Sequence, residues 1–177
     1  MITISEGRKR VLAVIALAPL VFVLLVALQG CRTCFKSRDL PVTTPTQVIT
    51  HNDVVIKAAT LPNGTPSKIS IEDKFPGQYG DGSNEIVVGW SQTATTPATI
   101  NFPADVFGDG PSRVWVTCSH YNSCELIAFD KNNNQRGSAA HDSGQGVVQV
   151  LFLGGGKIRR IDIRGAEISI FEVCYRR

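Results

Sequence analysis

An all-β domain, an antiparallel β-sandwich of about 8–10 short strands, is predicted by two features of the chain. From about Arg38 onward the chain is rich in Thr, Asn, Gly, Val and Ile, a composition that suits a pleated, half-buried surface. Clusters of Gly, Pro, Asn and Asp then cut it into short apolar runs, and none of these holds a 3.6-residue period over a helical length. With roughly 130 residues beyond the linker, the domain can bury one core without help from a metal or a partner.

Taken in order, strand-like runs fall at residues 47–50, 54–58, 68–72, 85–90 and 98–102. Longer ones follow at 113–118, 125–130, 147–153, 157–164 and 167–175. Alternation is clearest late in the run 157–164. There Ile161 and Ile163 face one side and Arg160, Asp162 and Arg164 the other, while Ile158 falls out of phase, so the strand starts late or carries a bulge. Residues 147–153 are apolar on both faces apart from Gln149, which predicts a central strand covered from both sides. Asp130-Lys131-Asn132-Asn133-Asn134 reads as a polar turn opening a longer loop, and Gly154-Gly155-Gly156 as a hairpin connection.

Ahead of the domain, Arg8-Lys9-Arg10 precede an uncharged apolar run over residues 11–28. Basic residues followed by an apolar core make the n- and h-regions of a secretory signal. At about 18 residues the run is also near the lower limit for a bilayer-spanning helix. It lacks the polar face that a helix packed on a soluble core would show. Leu28-Gln29-Gly30-Cys31 resembles the bacterial lipobox, with Gln29 departing from the small or aliphatic residue usual at its position.

Residues 1–31 are therefore expected to be a hydrophobic helix acting as export signal or membrane anchor, residues 32–45 a linker containing Pro41 and Pro45, and residues 46–177 the sandwich. Three topologies fit: a lipoprotein with lipid on Cys31, an uncleaved helical anchor, or simple secretion. The first two hold the domain at a membrane of the cell envelope, outside the cytoplasm, because an export signal delivers the chain behind it and long domains translocate largely regardless of charge.

The formal net charge is +3, and much of the excess sits in the clusters flanking the apolar run and in Arg176-Arg177. The domain has no long basic stripe, so nucleic acid is not an expected partner.

Five cysteines are present: Cys31, Cys34, Cys118, Cys124 and Cys174. Cys118 and Cys124 bracket a short loop between two strand-like runs and are the expected disulfide, with free buried thiols as the alternative and Cys174 able to compete for either partner. Cys34 falls in the linker. A zinc site built on Cys118, His120 and Cys124 lacks a second ligand pair with zinc-like spacing.

The last sixty-odd residues carry an ordered set of motifs. Arg113-Val114-Trp115-Val116-Thr117 leads through a loop to Glu125-Leu126-Ile127-Ala128-Phe129-Asp130 and its Asn-rich turn. Ser143-Gly144-Gln145-Gly146 feeds Val147-Val148-Gln149-Val150, and Ile158-Arg159-Arg160-Ile161-Asp162-Ile163 precedes Phe171-Glu172-Val173-Cys174-Tyr175. This set resembles the bacterial secreted β-sandwich modules of the galactose-binding-like jelly-roll type. The resemblance implies a jelly roll, and members of that superfold often bind carbohydrate, but it transfers no binding residues.

Chemistry is sparse. No GxSxG elbow is present, and His141-Asp142-Ser143 are loop neighbours rather than a spaced triad, so no enzymatic activity is expected. Asp130, Asn132 and Asn134 alternate like calcium ligands, yet Gln135 stands where a calcium loop needs Gly. Asp105 and Asp109, with Gly108 and Gly110, form an oxygen-rich loop that could hold a structural calcium; no other cofactor is implied.

Glycan binding needs flat aromatic faces beside hydrogen-bonding groups. The candidates are Trp115, His120, Tyr121 and Asn122, with Trp90 and Tyr79 as further aromatics. The expected role is a tethered module that binds carbohydrate or another envelope component. The alternative is an assembly lipoprotein that contacts a protein partner and binds no small ligand.

Overall fold

Alternating apolar side chains build two antiparallel sheets that close on one another in this computed structural model. It describes residues 32–60, 64, 67–73, 84–88, 97–121, 123–141, 146–165 and 167–177. The expected export segment and Cys31 lie outside the described residues, and among those residues no helix is long and apolar enough to cross a membrane.

Thirteen strands are described: β1 (Thr33–Lys36), β2 (Thr43–Thr46), β3 (Val48–His51), β4 (Val54–Ala58), β5 (Ile69–Asp73), β6 (Asn84–Val88), β7 (Ala98–Asn101), β8 (Arg113–His120), β9 (Cys124–Phe129), β10 (Gln135–His141), β11 (Gln149–Leu153), β12 (Arg160–Gly165) and β13 (Ile168–Arg176). A 3-10 turn spans Ser37–Asp39, and a single helical turn, α1, spans Ala104–Phe107. The larger sheet runs β11-β8-β13-β6-β5-β2, with β1 also pairing β13. The smaller sheet runs β10-β9-β12-β7-β4-β3. The chain is thus an all-β, two-sheet antiparallel sandwich.

The core lies between the sheets. Ile56, Ile100, Leu126, Ile161 and Ile163 come from the smaller sheet and Ile69, Ile86, Val114, Val116, Ile168 and Val173 from the larger, all buried. Each such side chain contributes about 1.5–3 kcal/mol of hydrophobic stabilisation. At one end Phe102, Phe107 and Tyr175 pack edge to face, with ring centroids 5.0–5.9 Å apart. Ile161 and Ile163 point inward as their alternation predicts, and β12 starts late, after the out-of-phase Ile158.

Four expectations need correction. The linker at residues 32–45 holds β1, the 3-10 turn and β2: Phe35 enters the core, and the buried Ser37 hydroxyl donates to the Phe171 carbonyl. Pro45 is tolerated because β2 is an edge strand, where a missing N–H breaks no ladder.

The two turns exchange roles. The Asp130–Asn134 segment is itself the hairpin turn between β9 and β10, whereas the glycine link carries the chain from β11 in the larger sheet to β12 in the smaller. Gly155 makes that crossing possible: its φ is +104°, and a Cβ there would stand 2.4 Å from the Arg136 carbonyl oxygen.

β10 itself was not expected, because Gln-Arg-Gly-Ser-Ala-Ala-His contains no β-branched residue. Finally, β11 is not central but sits at the edge of the larger sheet. Leu151 and Leu153 face the core, and the apolar residues of its other face are left open.

Candidate binding site

The register of four strands sets out the outer face of the larger sheet near its β11 edge. One outward row runs Phe152, Trp115, Cys174 and Cys34 across β11, β8, β13 and β1. The next runs Val150, Thr117, Glu172 and Lys36. On the other side Arg113 pairs with Arg176. Successive outward rows are roughly 6.6 Å apart, the rise of two strand residues.

The Phe152–Trp115 pair is therefore flanked on one side by Val150, Thr117, Glu172 and Lys36 and on the other by Arg113 and Arg176. Phe152 is 48% exposed and Val150 58%, with Val147 and Val148 also exposed beside them. Trp115 is half-buried and tilts against Phe152, ring centroids 5.3 Å apart at 43°. Lys36 and Glu172 pair at 3.6 Å.

The other candidate ligand residues do not join Trp115. His120 lies on the opposite face of β8, 2% exposed, its Nε2 2.6 Å from Nδ1 of His141, which in turn contacts the Gln149 side-chain amide. Tyr121 is 43% exposed in the turn after β8, six residues from Trp115 and so roughly 20 Å along the strand direction. Asn122, Trp90 and Tyr79 lie outside the described residues. Strand alternation explains the separation of Trp115 from His120: residues of opposite parity face opposite sides.

The cysteine pairing also differs from expectation. The disulfide joins Cys34 to Cys174, while Cys118 and Cys124 are buried thiols with sulfurs 3.7 Å apart. Cys34 finds its partner because the expected linker is a strand in register with β13. Cys118 and Cys124 belong to strands of different sheets and meet in the core rather than across a hairpin. The contact with Cys118, together with burial, pushes the Cys124 thiol far above its ordinary range and keeps it protonated.

Asp109 makes two ion pairs at the surface. Lys131 donates to its Oδ1 at 2.9 Å and Lys157 stands 3.7 Å from its Oδ2; the Lys131 hydrogen bond and charge, then Lys157, hold this carboxyl below the usual range. Asp105 is exposed on α1. Among the described residues, the one group of three candidate metal donors is Cys34, Glu172 and Cys174, and its two sulfurs are bonded to each other.

Asp130 is committed as well. Its Oδ1 accepts the Asn132 and Asn134 amides at 2.8 and 2.9 Å, and its Oδ2 accepts Arg136 at 2.7 Å. Burial pushes its pKa up, but the Asn134, Asn132 and Arg136 hydrogen bonds prevail and hold it at about 2.

Sequence reasoning missed Phe152 and Val150, since a strand apolar on both faces reads as doubly covered. No family model matches the chain, and no curated protein sequence does. Among solved structures, the chain is similar to the K1 cleaved adhesin domain of Lys-gingipain from Porphyromonas gingivalis W83, at 13% identity and a TM-score of 0.46, over 83% of this chain and 98% of that one.

Proposed function

We propose that this chain is a non-enzymatic binding module, held outside the cytoplasm by its N-terminal apolar segment, that takes a glycan or another envelope component on the outer face of the larger sheet. The observation that carries the reading is the Phe152–Trp115 pair, an exposed aromatic surface at 5.3 Å centroid separation lying between Thr117, Glu172 and Lys36 on one side and Arg113 and Arg176 on the other. A sugar ring stacked there would present its C–H face to the aromatics and its hydroxyls to Thr117, Glu172 and Lys36, which offer donors and acceptors on one side. A sheet surface of this kind is preorganised, so binding orders few side chains.

A protein partner is the second reading, and it rests on the edge position of β11. An edge strand presents unpaired backbone groups, and here exposed valines accompany them, a combination that a partner strand could extend.

A glycan panel probed with the full chain in detergent micelles, with calcium and with chelator, separates the two. Selective retention of neutral glycans supports the first reading. A folded chain that binds none of them, yet copurifies stoichiometrically with one envelope protein, turns the assignment to the second.

A further inference from the structure

The opposite side of the sandwich carries a different surface. An open cleft of about 400 Å³ lies on the outer face of the smaller sheet. Val55, Asn101 and Arg160 line its floor side by side across β4, β7 and β12. Pro103 borders it on one side and the β9–β10 turn, with Lys131 and Asn133, on the other.

Its charge is one-sided. Lys57, Lys131, Arg159 and Arg160 face the cleft with a single carboxylate, Asp130, whose oxygens are already taken by Asn132, Asn134 and Arg136. Residues 33–177 hold equal numbers of acidic and basic side chains, so this excess is local and not a share of a basic chain.

Two of the four cations are partly spent: Lys131 on Asp109, and Arg160 on Asp162. Arg160 is also fixed in orientation by Asn133 and by the Phe129 ring 4.7 Å below it. Arg159 has the Gly108 carbonyl as partner, and neither it nor Lys57 has a carboxylate partner among the described residues.

We propose that this cleft is a second binding site, specific for a negatively charged saccharide. Separate acidic groups along the sugar chain meet Lys57 and Arg159, and its hydroxyls meet Asn101 Oδ1 and Asn133 Nδ2, because Asn101 Nδ2 already donates to Val55 and Thr99 and Asn133 Oδ1 accepts from Arg160. A carboxylate or sulfate group gains charge-assisted hydrogen bonds there that a neutral sugar does not. A sugar hydroxyl, which both donates and accepts, suits this pairing of an amide oxygen with an amide N–H. The site is independent of the Trp115 face, which lies on the other sheet.

The test titrates the full chain in detergent micelles with hexagalacturonate and with its methyl ester, which removes the charge and keeps the sugar. Expected is measurable binding of the acid that weakens with added salt, with the ester about tenfold weaker or more. Lys57→Glu and Arg159→Glu should each weaken the acid about tenfold in a chain that stays folded. Lys57→Gln provides a milder variant should either reversal perturb folding. Equal affinity for acid and ester, or full affinity in the Lys57 and Arg159 variants, overturns the proposal. So does a failure of both hexagalacturonate and a heparin hexasaccharide to bind. Tighter binding of an oligo-aspartate peptide overturns the saccharide assignment.

Discussion

Cys34 and Cys174 stand opposite each other on β1 and β13, Cα atoms 4.0 Å apart, and their bond joins positions 140 residues apart. It clamps the first described strand to the last. Constraining so long a loop in the unfolded chain stabilises the fold by about 2–5 kcal/mol. Replacing both cysteines by serine should lower the denaturation midpoint by the corresponding amount and raise amide exchange in β1 first. An unchanged midpoint would mean that the strand pairing alone holds this end.

The remaining pair gives a complementary outcome. Cys118 and Cys124 should react slowly with alkylating reagent in the folded protein, because both are buried and the Cys124 thiol stays protonated. After denaturation without reduction both should alkylate fully, while Cys34 and Cys174 remain linked in the peptide map. Recovery of a Cys118–Cys124 linked peptide would contradict the pairing described.

Asp130 links stability to acidity. Unfolded, its carboxyl titrates near 3.8; folded, near 2. The unfolded state therefore binds more protons in that window, and the contribution of Asp130 is complete above about pH 4 and lost as pH falls through about 2. Thermal melting of Asp130→Asn against the parent should show a smaller stability loss between those values in the variant. Parallel curves would remove Asp130 from the acid response.

The edge position of β11 predicts an asymmetry between adjacent residues. Leu151 points into the core, and Leu151→Ala should cost about 2–5 kcal/mol. Phe152 faces out, and Phe152→Ala should cost less than about 1 kcal/mol. Similar large losses at both positions would restore the doubly covered strand that the apolar run first suggested.

Much of the fold was legible because its causes are local. Runs of Val and Ile between turn residues located ten of the strands, and alternation in β12 oriented Ile161 and Ile163. What was not legible depends on long-range pairing. Pro41, Pro45 and nearby basic residues look like a tether, and only the register with β13 makes residues 33–36 a strand. A strand apolar on both faces has two physical causes, double cover or an exposed binding face, and sequence alone does not separate them for β11. Trp115 was readable as facing away from Val114 and Val116, whereas its partner Phe152 came into view only with the sheet order.

Affinity for a neutral glycan retained from the panel, measured by calorimetry on the full chain and on Trp115→Ala, bears most directly on the outer face as a binding surface. Loss of the stacking ring should weaken binding about tenfold or more in a chain that stays folded. Full affinity in a folded Trp115→Ala chain would show that the Phe152–Trp115 face is not where the glycan binds.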